Sequence, residues 1–199
     1  MAFEWLTGST PQFWKNYLTL FESENAEGYK RYVVFDIEAT GLDWKNDAIL
    51  SIGAIALHDN AIAIGDFFMV SLNDKNAKTK SVALGDSLDS ENDTVVEAEA
   101  MIQLLNFVKD AVLVGHNVNL DIEMINQALK RLELGRLKNE LMDTNVLFQR
   151  WRGVSEENPY TVDEICEALK IEKPNRHTAW GNAYTTALIF LKLKQRLKI

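Results

Sequence analysis

The segment from Tyr32 to Leu42, Tyr-Val-Val-Phe-Asp-Ile-Glu-Ala-Thr-Gly-Leu, constrains this chain more than any other. Its opening residues, Tyr32 to Phe35, are all apolar. A stretch without polar alternation suits a strand buried on both faces, at the centre of a sheet. Two acids then follow. Residues two apart on a strand face the same side, so Asp36 and Glu38 present their carboxylates together. Burying two like charges is costly unless a cation or hydrogen-bond donors compensate. Oxygen-only donors favour hard cations such as Mg²⁺ or Mn²⁺. Gly41 permits a sharp exit from the strand. The bland alternative is a strand end running into a solvated acidic turn. For an isolated Asp-x-Glu that is the commoner case.

The surrounding chain can build a sheet around such a strand. It has 199 residues, 47% of them hydrophobic and only 3 of them proline. That suffices for a sizeable core without staples. Ile49 to Leu57 and Ala61 to Leu72 read as a hairpin about Asp59-Asn60. A long polar stretch, 73–93, carries Lys75, Lys78 and Lys80. Thr94 and Glu97 form an expected capping box ahead of an apolar helical stripe. Ala111 to Val114 reads as a buried strand, Leu120 to Leu134 as a helix, and Leu141-Met142 as a short fifth strand. Thr161 and Glu164 form a second capping box. Ala183, Ala187, Phe190, Leu191 and Leu197 mark a last helix. A meander followed by alternating helices and strands predicts an α/β fold with a mixed five-stranded sheet flanked by helices.

Residues 1–30 read as a helical appendage to a domain spanning 31–199. Thr10 is its expected cap and Pro11 its first position. Phe13, Trp14, Tyr17, Leu18 and Phe21 follow helical spacing. Such a stripe usually packs on the chain's own core; the sharper reading is a face for a protein partner or a homodimer. The single cysteine, Cys166, cannot form an intrachain disulfide and fits a reducing, cytoplasmic setting. The first residues lack signal-peptide character. No run approaches the ~20 apolar residues of a membrane span.

Two further segments bear on chemistry. Gly115-His116-Asn117-Val118-Asn119-Leu120-Asp121 joins a strand end to a helix start, where ligands gather in open α/β sheets. Asp121 in a first helical turn is also simply a favourable charge there. His116 and Asn117 also suit a turn that satisfies its own backbone groups. His177-Thr178-Ala179-Trp180-Gly181-Asn182 precedes the last helix, and His177 is the side chain best suited to take a proton near neutral pH. Trp44 and Trp180 flank these motifs. They are candidates to stack on bases, although core packing is the commoner fate of tryptophan.

In this order and spacing, the three segments resemble the DEDDh 3'–5' exonuclease family, which includes the proofreading epsilon subunit of DNA polymerase III and ribonuclease T. The resemblance runs from about Tyr32 to the C-terminus. It implies a ribonuclease H-like fold. It also implies two Mg²⁺ or Mn²⁺ ions and water attacking the last phosphodiester of a single-stranded DNA or RNA 3' end. On this resemblance Asp36 bridges both ions, Glu38 binds the catalytic one and Asp121 supports the second. His177 deprotonates the water. Ala39, Thr40, Gly41 and Leu42, with His116 and Asn117, belong to the substrate side.

Two features depart from the pattern. The family's third motif ends in Asp, and here that position is Asn182. Asn keeps the shape but loses the charge, and its NH₂ is a donor that cannot ligate a metal. Asp143 and Asp163 are the nearest acids, and local roles suffice for both. An engineered or recent change, a weakened enzyme and a retired binding module are the three accounts. The intact Asp36, Glu38, Asp121 and His177 favour the first. The polar 73–93 stretch also replaces the family's usual His-Gly-Ile segment. The net charge of -8 excludes a broad basic footprint on nucleic acid.

Overall fold

The computed structural model describes residues 10–22, 30–58, 60–73, 94–155, 159–172 and 178–199. The elements run α1 (Gln12–Thr19), β1 (Tyr32–Ala39), β2 (Ile49–His58), β3 (Ala61–Leu72), β4 (Thr94–Val95), α2 (Glu97–Val108), β5 (Val112–Gly115), α3 (Asn119–Arg131), β6 (Leu141–Asp143), α4 (Thr144–Arg152), α5 (Val162–Leu169) and α6 (Ala179–Leu197). The sheet order is β4-β3-β2-β1-β5-β6. β1, β2 and β3 form an antiparallel meander, while β5, β6 and β4 join it in parallel. The sheet is mixed and flanked by helices, as the residue pattern implies.

β1 is apolar because both its faces are covered. Val33 and Phe35 enter the core shared with α1, α2 and α3. Val34 enters the opposite core, with α4, α5 and α6. The strand's polar end therefore emerges from between two apolar layers, and that places Asp36 and Glu38 at the rim of the sheet.

Among the described residues the sheet has six strands rather than the expected five. The extra one is β4, whose Thr94 and Val95 pair with Ser71 and Leu72. Pairing takes Thr94 away from the helix, so the first capping box does not form. α2 starts behind Val96 without a side-chain cap. Glu97 instead bonds the guanidinium of Arg131 on α3, at 2.8 Å from Nε. The second box forms as read, with Thr161 and Glu164 bonding reciprocally at the head of α5. At α1, Pro11 is the cap rather than the first helical residue, and no side chain caps the helix. α4 escapes the sequence reading altogether. Its signals are short: Asp143 accepts from Asn145 N at 2.8 Å at one end, and Gly153 takes φ +69° at the other.

The aromatic stripe of α1 is spent on the chain's own core. Trp14 and Tyr17 are buried there, with Phe13, Leu18 and Phe21 packed against it. The Tyr17 hydroxyl donates to Asn139 Oδ1 at 2.7 Å and accepts from Lys138 N at 2.8 Å. Asn139 Nδ2 donates onward to the carbonyls of Lys109 and Ala111. Burial pushes the Tyr17 phenol up to about 12. No helix among the described residues is long and apolar enough to cross a membrane.

Candidate active site

Asp36 and Glu38 leave β1 on the face covered by α6. Their register partners on β2 are Gly53 and Ser51. Gly53 decides how close α6 comes. A Cβ there would lie 2.5 Å from Ala179 C and 2.7 Å from Ala179 O, so only glycine lets the helix start rest on the strand. Thr178 then caps α6 by accepting from Gly181 N at 3.1 Å. Because the helix begins at Ala179, Asn182 lies in its first turn rather than before it.

That first turn brings Asn182 onto both acids. Its Nδ2 donates to Asp36 Oδ2 at 3.0 Å and to Glu38 Oε1 at 2.9 Å. Residues 146 and 144 positions apart thus meet in one cluster. Asp121 comes to it from the first turn of α3. Burial, then the charges of Asp36, Glu38 and Asp143, push its carboxyl up to about 8. Burial also raises Glu38. The cluster therefore holds negative charges that repel one another, with one neutral amide bridging two of them.

As a donor set, Asp36, Glu38, Asp121 and the amide oxygen of Asn182 suit a hard divalent cation, which would relieve the repulsion that lifts Asp121. In the present arrangement the Asn182 NH₂ fills the space between Asp36 and Glu38. Among the described residues, no three His, Cys, Asp or Glu side chains are gathered closely enough to hold a metal ion. The chemistry of the residues fits a hard divalent cation.

The loop after β1 is organised by Asp47, which the sequence reading overlooked. Thr40 Oγ1 donates to Asp47 Oδ1 at 2.8 Å and accepts from Ala48 N at 3.0 Å. The same carboxylate accepts from Asp43 N at 2.8 Å. It also occupies the space a side chain on Gly41 would need, with Asp47 Cγ 2.8 Å from a Cβ there. Ala39 follows a register shift that turns the strand out of line. Leu42 stands 81% exposed at the loop's tip, where an apolar side chain has no internal partner.

Asp143 organises the other turn. It accepts from Asn117 N at 3.2 Å and Val118 N at 3.0 Å, besides capping α4. Asn117 is held at φ +53°. His116 Nδ1 lies 3.1 Å from Thr144 Oγ1, which also donates to Gly115 O. Asp143 is thus engaged in the turn that carries Asp121, as a local role requires. The overlooked signal was the helix that starts directly behind it, at Thr144. His177 and Lys75, Lys78 and Lys80 lie outside the described residues.

The comparisons with known proteins show the family. The model of the exonuclease family matches residues 33–190. The chain belongs to that exonuclease family. The resemblance read from the three motifs holds. This exonuclease domain is 31% identical over 169 residues to the PolC-type DNA polymerase III of Caldanaerobacter subterraneus subsp. tengcongensis. It is 32% identical over 179 residues to that of Clostridium perfringens. In each case the match covers 84% of this chain but 12% of the relative, so the chain spans about an eighth of the length of these polymerases. Exonuclease I of E. coli, solved with a dT13 oligonucleotide, superposes with a TM-score of 0.67 at 17% identity, over 85% of this chain and 42% of that one. That likeness confirms the ribonuclease H-like fold.

Proposed function

We propose that this chain is a metal-dependent 3'–5' exonuclease domain of the DEDDh type, releasing nucleoside monophosphates from single-stranded 3' ends. The observation that supports the reading is the convergence of Asp36, Glu38, Asp121 and position 182 at one rim of the sheet. Asp36, Glu38 and Asp121 would hold Mg²⁺ or Mn²⁺, with the carbonyl of Asn182 as a fourth, weaker ligand. Bound as a pair, the ions would stabilise the attacking and leaving oxygens of the displacement. His177 would take the proton from the attacking water. Ala39, Thr40 and Gly41 would seat the last nucleotide, with Leu42 against its base and His116 and Asn117 beside it. The DNA polymerase relatives, and a neighbour solved with a DNA oligonucleotide, favour DNA over RNA.

The test is shortening of a 3'-labelled single strand by the Asn182→Asp protein in Mg²⁺ or Mn²⁺. EDTA-sensitive loss from the 3' end supports the reading; no shortening rejects it.

One observation favours a second reading, a retired module that binds a strand end without cutting it. Asn182 donates to both acids from a neutral amide, the position from which a carboxylate would repel them and recruit a cation. On this reading Asn182→Asp restores no turnover, while binding of a 3' end survives.

A further inference from the structure

The two tryptophans near the site have different fates. Trp44 packs partly buried against the core that α1 closes. Trp180 is 37% exposed on α6. Its ring lies parallel to that of Tyr184, with centroids 5.6 Å apart and an interplanar angle of 12°. Tyr184 is one turn further along the helix, so it covers the Trp180 face that looks down α6.

The position of this pair is fixed by the backbone that fixes the acids. Trp180 follows Ala179, whose backbone rests on Gly53, and Gly53 pairs with Asp36 on one side and Met69 on the other. Met69 is itself 49% exposed and extends the apolar surface along β3. Residues two apart on a helix point nearly opposite ways, so Trp180 lies on the flank of α6 away from Asn182. The helix is about 10 Å across, a distance that a few nucleotides cover. An exposed indole backed by a second ring, beside an acidic site, offers attraction that needs no phosphate contact.

We infer that Trp180, backed by Tyr184, is a stacking platform for an unpaired base upstream of the strand end held at Asp36 and Glu38. The inference rests on the exonuclease reading for the placement of that end. The platform adds grip on the strand that does not depend on phosphate contacts, and it is tolerant of sequence because every base has a stacking face.

The test is equilibrium binding of a phosphorothioate-linked dT4 and of thymidine 5'-monophosphate to the full chain in Mg²⁺, with thermal melts to monitor folding. The expected result is that Trp180→Ala weakens dT4 about tenfold while leaving the mononucleotide unchanged. Trp180→Phe should retain most of the dT4 affinity but lose fluorescence quenching that Trp44→Phe keeps. Unchanged dT4 affinity in Trp180→Ala overturns the inference, as does an equal loss for dT4 and the mononucleotide. Failure of dT4 to bind the unaltered chain overturns it too. Failure of the exonuclease reading shows separately, as no shortening by Asn182→Asp.

Discussion

Two polar clusters in this molecule invite comparison. One joins Tyr17, Asn139 and the backbone of residues 109, 111 and 138 beneath α1. The other joins Asp36, Glu38, Asn182 and Asp121 at the sheet rim. In the first, the phenol, the amide and the Lys138 N–H each meet an acceptor, and the groups are neutral. In the second, acids crowd together and one of them is lifted to about 8. A satisfied network is what structure requires. A repulsive one persists only where the fold forces it, and such places are where function is expected.

The largest expected effects break one cluster at a time. Trp14→Ala, beside the neutral network, should cost about 3–5 kcal/mol of stability, since Gly135 packs directly on that ring and leaves little to collapse into the space. Chemical denaturation measures it, and mononucleotide binding at the rim should be unchanged below the transition. Asn182→Asp should do the reverse. It adds a like charge to the acidic cluster, lowering the melting temperature in EDTA. With Mn²⁺ it should raise 3'-end turnover by at least ~10²-fold. A variant that is more stable in EDTA than the unaltered chain would contradict the repulsion described here.

Smaller effects sharpen the contrast. Tyr17→Phe leaves Lys138 N without its acceptor and Asn139 Oδ1 without its donor, at a cost of about 1–3 kcal/mol independent of pH between 5 and 8. The acidic cluster should instead be pH-dependent. Folded Asp121 keeps its proton up to about pH 8, whereas the unfolded chain releases it in the ordinary carboxylate range. The folded state therefore binds more protons in that window, and stability falls as pH rises through it. In EDTA the melting temperature should drop by a few degrees from pH 5 to pH 8.5. Asp121→Asn should flatten that slope, and saturating Mg²⁺ should reduce it.

Much of the fold is legible in the sequence because burial leaves a period. The apolar run of β1, the meander and the stripe of α6 all answer to which faces are covered. The misses share a cause. β4 is two residues long and takes its identity from Ser71 and Leu72, not from its own pattern. Thr94 could serve a cap or a strand, and the neighbouring strand won. α4 depends on Asp143 at one end and Gly153 at the other, with only a short apolar face between. Of the site, the acids were visible as motif members, but Gly53 and Asp47 were not. A glycine in a strand or an acid in a loop shows its use only when another segment comes against it.

By itself, the sequence determined the two-faced central strand, the order of the three motifs and thereby the exonuclease family. Those follow from local spacing and residue type. Only the tertiary structure decided that the aromatic helix closes the chain's own core, that the Asn182 amide bridges Asp36 and Glu38, and that Trp180 rather than Trp44 is left exposed. Each of these depends on contacts between residues far apart in the chain. Their energies come from which charges and surfaces the packed sheet brings together, and no local pattern records that.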